Sequence, residues 1–354
     1  MLAFGQAQGS LAERGVQAQE ATNTAYPRFV AGKPYAFPYS PVFGLPFLVL
    51  PHATPLVEDA LRQVALLAAA LEVLLAFGVA RLAFGGSAGV GAAVVAALLP
   101  LTYSRLMLSM WPTLIGHPAD VLAIAAAALA LRPPGGAGPW LRAALALLAA
   151  LALYVSSLFS LGAFTAALLA LRRRAALPLL LAYAGGAALV VLVLYRPFLQ
   201  AFLGEILPAV LAGARMQNDS GGEPAGLVST LGRIPLLFGW GPPALALAGL
   251  RLLRRRAEPA LRDALSAWAL AFVLLSVLRV FGSGLFRDLK ELTFVAPLVA
   301  VLAGEALEEL WERSREGRVA ALMLGLGLLL VCGERYAAYW YEARNVAMVA
   351  IGLP

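Results

Sequence analysis

Between Arg62 and Cys332 the chain carries about ten apolar runs, one after another, and few folds can accommodate them. The runs lie at 62–83, 88–104, 118–131, 141–155, 157–171, 176–196, 232–253, 264–282, 292–310 and 319–333. A hydrocarbon layer is crossed by roughly 20 apolar helical residues, and backbone polar groups inside it must be paired within the helix. Charged residues are 13% of the chain, about half the share of a soluble domain. The pattern predicts an all-α fold, a polytopic transmembrane helical bundle of about 10 spans. The runs 141–155 and 157–171 are short, and Ser156, Ser157 and Ser160 mark a bend between them. That pair reads as two tilted helices or as a re-entrant hairpin. Three regions follow: an extracytoplasmic N-terminal segment with an interfacial helix at 1–61, the transmembrane domain at 62–333, and an extracytoplasmic tail at 334–354.

The net charge of +7 does not point to nucleic acid, because the basic residues cluster in short stretches between apolar runs. The clusters are Arg172, Arg173 and Arg174, then Arg251, Arg254, Arg255 and Arg256, then Arg313, Arg315 and Arg318. Arginine-rich short loops stay on the cytoplasmic side. The loops near 81–87 and 132–142 then share that side, and 104–118, 196–231 and 282–291 face outward with both termini. The chain is placed as a multi-pass protein of the cytoplasmic (inner) membrane, with the lipid bilayer as its first partner. Residues Met1 to Ser40 lack the basic and apolar regions of a signal peptide. A polar segment would therefore cross without a preceding helix, and the expectation is that a first transmembrane helix is missing. Cys332 is the single cysteine, which excludes an intrachain disulfide, and His52 and His117 are the only histidines, which excludes a Cys/His zinc cluster.

Chemistry has room in the outward segments. In 19–51 an acidic residue, Glu20, precedes a stretch with helical potential, a turn at Gly32, and an aromatic, proline-rich segment. The run 41–51 is too short to span and reads as an interfacial helix, with Tyr35, Phe37, Tyr39 and Phe43 at headgroup level. An aromatic anchor alone accounts equally for that composition. In 102–121 Asp120 sits where an outer loop re-enters as a helix, and Pro118 suits the first turn of that helix. His117, three residues earlier, shares a helical face with Asp120. Asp120 serves either as a functional carboxylate or as a complement to the helix dipole. Arg196 closes one run, and Arg287 and Lys290 precede another on the same face, three apart and able to converge on one phosphate. Interfacial snorkelling explains them as well. Glu72 lies inside an apolar run, where an unpaired charge costs about 2.5–3.5 kcal/mol, and is expected to face the bundle or be protonated.

Glu20, Tyr26, Gly32, Tyr39, Ser40 and Pro41, in that order, resemble the first outer loop of the GT-C type membrane glycosyltransferases. That superfamily includes the protein O-mannosyltransferases and the lipid A aminoarabinose transferases. The run Gly116-His117-Pro118-Ala119-Asp120 is similar to its second acidic element, and Leu285 to Leu292 to its basic segment near the lipid phosphate. Two features depart from the pattern: Gln19 stands where the family has the first acid of a pair, and the helix before Glu20 is absent. The resemblance therefore admits a partial or inactive member. It implies transfer of a sugar from a polyprenyl-phosphate-linked donor to a glycan, lipid or protein acceptor outside the membrane. Glu20 or Asp120 would act as general base, with His117 as a weaker candidate. Arg196, Arg287, Lys290 and Tyr39 would hold the lipid phosphate. A divalent cation between Glu20, Asp120 and substrate phosphates is compatible with these residue types, although nothing in the sequence specifies one.

The competing class is a lipid or polysaccharide transporter, flippase or polymerase-type protein without transferase activity. Ion-coupled transport needs ionisable residues paired across several mid-spans. Only Glu72 is seen there, without a mid-span basic partner in another run.

Overall fold

The computed structural model describes residues 28–30, 33–35, 40, 42, 54–102, 111–133, 136–212, 216–217, 234, 237–281 and 288–350. Its helices are α1 (Thr54–Phe84), α2 (Ala88–Leu98), α3 (Trp111–Ala130), α4 (Ala137–Leu153), α5 (Ser157–Leu194), α6 (Arg196–Ala201) and α7 (Leu207–Leu211). They continue as α8 (Gly241–Arg256), α9 (Pro259–Phe281), α10 (Asp288–Arg313) and α11 (Arg315–Ala350). The helical bundle expected from hydropathy is present, and the chain is a multi-pass membrane protein. Helices containing Gln63–Phe84, Thr113–Ala130, Pro259–Leu278 and Arg315–Glu334 are each long and apolar enough to cross a bilayer, as is the apolar stretch Ser157–Leu194 taken whole. Leu67, Leu74, Leu181, Leu192 and Leu330 are exposed on these helices, as lipid-facing positions require.

α5 is two helices joined at Arg173, whose φ of 28° and ψ of −100° are not helical. The Tyr183 hydroxyl donates to the Leu158 carbonyl. A straight helix would hold residues 25 apart in sequence about 37 Å from each other, so the arms 157–172 and 174–194 fold back as a hairpin. The runs at 157–171 and 176–196 are thus separate helices, and the loop read between them is compressed into one residue. The expected bend also stands: Tyr154 is extended, and a turn at 155–156 leads into α5.

The arginine-rich loops gather at one end of the bundle. Arg256 meets Glu305 at 3.2 Å, Glu309 at 2.6 Å and Glu312 at 2.9 Å. Arg132 pairs with Glu258 at 3.4 Å, Arg172 pairs with Asp263, and the Glu308 carboxylate accepts from the Ser87 backbone and hydroxyl. These contacts tie the ends of α1, α3, α8, α9 and α10 and the α5 hairpin turn into one ionic belt. Burial works against the charge of Glu258, but the Leu261 and Ala260 backbone N–H groups and the Arg132 guanidinium prevail and hold it below the usual carboxylate range.

Between the ends, small residues let helices approach. A Cβ on Gly304 of α10 would lie 2.3 Å from the Ala92 backbone nitrogen of α2, and one on Gly249 of α8 would lie 2.1 Å from the Leu302 carbonyl oxygen. Lipid tails give helices no hydrophobic reason to associate, so close contact of this kind supplies the attraction. Larger side chains fill the centre: Trp268 is fully buried, lies 5.7 Å from Phe294 between ring centroids, and donates its indole N–H to the Phe294 carbonyl at 3.1 Å.

One addition to the helical reading is a small sheet. β1 (Arg28–Val30) pairs antiparallel with β2 (Lys33–Tyr35) and with β3 (Met216–Gln217), in the order β2-β1-β3. Part of the stretch credited with helical potential before Gly32 is therefore strand, because its backbone finds partners in residues 33–35 and in the distant residues 216–217. The expected interfacial helix lies outside the described residues.

Candidate functional site

The site grows from one helix face. α3 begins at Trp111, seven residues earlier than the apolar run suggested, and this corrects the reading of Asp120 and Pro118. Asp120 is not at the helix start; it lies about 13 Å along α3 from Trp111. A dipole role at the N-terminus is excluded, since that effect fades within the first turn. Pro118 is likewise internal, and its missing N–H leaves the Leu114 carbonyl without its usual helical partner.

His117 and Asp120 share the face predicted for them, and both are buried, at 2% and 1% exposure. A buried carboxylate without partners would be strongly destabilising, and each Asp120 oxygen has a polar partner. The Ser157 hydroxyl donates to Oδ1 at 2.6 Å. His117 Nδ1 lies 3.0 Å from Oδ2, and its other nitrogen, Nε2, lies 2.8 Å from the Thr293 hydroxyl. The chain Ser157–Asp120–His117–Thr293 therefore joins α5, α3 and α10. The break between α4 and α5 makes this possible by setting Ser157 at the first turn of α5, where the positive end of that helix faces the carboxylate.

Hydroxyls surround this chain. Tyr154 meets His117 edge-on at 5.3 Å, and its hydroxyl lies 3.2 Å from that of Thr113. A Cβ on Gly116 would come within 2.4 Å of the Tyr154 Cβ, so glycine is required beside His117. Ser40 donates to the Ala152 carbonyl, which fixes one point of the N-terminal segment against the same end of α4. The Tyr195 hydroxyl is enclosed beside Ser40. On the neighbouring face a small cleft between α1, α2 and α10 is lined by Ala69, Glu72, Ala96, Leu99, Thr102 and Pro297. Glu72 is buried there, as its position within an apolar run led us to expect.

Of the residues singled out from sequence, the structure brings His117 and Asp120 together. Arg196 opens α6, is exposed, and makes no ion pair among the described residues. It stands about 34 Å of helix from Arg173, at the end of the bundle opposite the ionic belt. Lys290 lies in the first turn of α10, likewise remote from that belt; its side chain, and the whole of Glu20, Tyr39 and Arg287, lie outside the described residues. Ser157, Thr293, Tyr154 and Thr113 were missed as site residues. Their only sequence signal is a hydroxyl within an apolar stretch, and for Ser157 a place among the serines that mark a bend. No group of three His, Cys, Asp or Glu residues suited to a metal ion occurs among the described residues. Both Asp120 oxygens are engaged and enclosed, and Glu20, the other carboxylate expected beside a divalent cation, lies outside the described residues.

The fold is shared with ArnT from Cupriavidus metallidurans. The apo structure of that protein superposes with a TM-score of 0.57 at 16% identity, covering 94% of this chain and 62% of ArnT. The structure bound to undecaprenyl phosphate gives 0.56 at 15% identity, covering 94% and 61%. The chain thus spans about three-fifths of the length of the ArnT structures it matches. No family model matches the chain, and no curated relative matches it.

Proposed function

We propose that this chain transfers a sugar from a polyprenyl-phosphate-linked donor to an acceptor hydroxyl on the outer side of the bacterial inner membrane. The observation that carries the reading is the ArnT fold over 94% of the chain, one of the two ArnT structures holding undecaprenyl phosphate. The buried Asp120 in its ring of hydroxyls supports it from within the chain. In this reading Asp120 is the general base. The Ser157 oxygen, 2.6 Å from Oδ1, marks where an acceptor hydroxyl would sit once it replaced Ser157 as donor. The acceptor proton passes to Oδ1 as the acceptor oxygen bonds the anomeric carbon, and the bond from that carbon to the phosphate oxygen breaks. The lipid phosphate leaves as an anion, which Arg196, Arg287 and Lys290 stabilise from the outer end. Glu20, in the N-terminal segment, is the second candidate base.

The reading is tested by binding. Purified protein in nanodiscs should bind undecaprenyl phosphate saturably, and Arg196→Ala should weaken that binding. Absence of saturable binding in the wild type would contradict the proposal. A retained donor affinity in Arg196→Ala would remove that residue from the phosphate site.

A further inference from the structure

The buried hydrogen-bond chain holds more residues than a base requires, and its far end is informative. Thr293 is fully buried, at 0% exposure, and its hydroxyl caps His117 Nε2 at 2.8 Å. With Nδ1 against Asp120 and Nε2 against Thr293, both ring nitrogens are occupied, so His117 has none left for a substrate. This excludes His117 as a direct base in this arrangement and gives it a different task. An unprotonated Nδ1 against a carboxylate would oppose two acceptors, whereas a protonated Nδ1 donates to Oδ2. Thr293 secures that arrangement from the other side of the ring, and the Tyr154 edge and Phe294, 5.3 and 6.5 Å away between centroids, keep the ring from rotating.

We infer that Thr293, acting through His117, is a positioning residue: the pair pins Asp120 Oδ2 so that Oδ1 alone is presented where Ser157 now donates. This rests on the transferase reading for its consequence but not for its geometry. Thr293 also lies one helical turn beyond Lys290 on α10. The helix proposed to carry the lipid-phosphate cation therefore also carries the residue that orients the base. A carboxylate free to turn about its bond would lose that alignment, and misplacement on the ångström scale costs catalysis heavily.

The chain has only two histidines, His52 and His117, so selective ¹⁵N-histidine labelling gives an NMR spectrum that a His52→Gln variant assigns. The full-length protein in nanodiscs should show a protonated, strongly hydrogen-bonded Nδ1 on His117. The near-isosteric Thr293→Val should move the Nε2 signal, and Thr293→Ser should restore it. In a transfer assay Thr293→Val should lower kcat about tenfold or more with the donor KM unchanged, and Thr293→Ser should recover most of the rate. An unprotonated Nδ1, or a spectrum that Thr293→Val leaves unaltered, would overturn the inference. A moved Nε2 signal with unchanged kcat would also overturn it, reducing the chain to a structural tie. A wild type without any transfer would instead defeat the transferase reading, and the spectrum would still decide whether Thr293 and His117 hold Asp120.

Discussion

A charge in the middle of a membrane helix survives only when something answers it, and Asp120 is answered twice, by Ser157 and by His117. Asp120→Asn keeps the volume but gives up the base. We expect it to lower transfer about a hundredfold or more while the protein still inserts and elutes as a single species; full activity would end the assignment. A second residue-scale expectation concerns Glu258. Its folded-state pKa is depressed, so its contribution to stability is present above the ordinary carboxylate pKa of 4.5 and is lost as pH falls below that value. Thermal melts in detergent should show the acid-side fall in Tm to be shallower in Glu258→Gln, and an unchanged profile would contradict this. The His117–Asp120 pair was legible because spacing of three on a helix puts two residues on one face. Ser157 and Thr293 were not, because they come from 37 and 176 residues away in sequence and only packing brings them in.

At the scale of elements, hydropathy located the helices but misplaced several ends. α1 starts at Thr54 rather than 62, α8 at Gly241 rather than 232, and α11 runs to Ala350 through the residues read as a tail. α3 starts earlier than expected because polar residues belong to it. Trp111 to His117 mixes apolar residues with Thr, Gly and His, so the run seemed to begin at Pro118. That shift changed the meaning of Asp120, from a helix-end charge to a buried one. The strands were only half legible: β1 and β2 flank Gly32, where the sequence offers a turn, but the pairing of residues 28–30 with 216–217 has no local signal. Two elements invite tests. Arg173 turns the α5 hairpin at a φ of 28° where a Cβ is strained, so Arg173→Gly should relieve that strain and raise Tm, and a lowered Tm would contradict this. Gly304→Ala should do the reverse, since its Cβ would meet the Ala92 backbone at 2.3 Å. Overpacking of this kind costs typically 1–3 kcal/mol, and an unchanged Tm would show that α2 and α10 are not held by that contact.

For the whole molecule, charge and fold agree on a polarity. The ionic belt collects Arg132, Arg172 and Arg256, while Arg196 and the start of α10 occupy the other end. Cysteine substitution at Arg254 in a Cys332→Ala background should be labelled by a membrane-impermeant maleimide only in inverted vesicles. Labelling from the periplasmic side would reverse the orientation and take Asp120 off the outer face. A division of labour goes with this polarity: one end secures helices by ion pairs, and the other holds hydroxyls and the buried Asp120, which the proposed orientation turns toward the outer leaflet. The most direct measurement is transfer itself. Purified wild type and Asp120→Asn would be reconstituted with a polyprenyl-phosphate-linked sugar donor and extracted outer-envelope acceptors, and release of polyprenyl phosphate followed over time. The account predicts acceptor-dependent release by the wild type and none above background by Asp120→Asn. Equal release by the two proteins, or none by the wild type across the donor sugars tried, would contradict it.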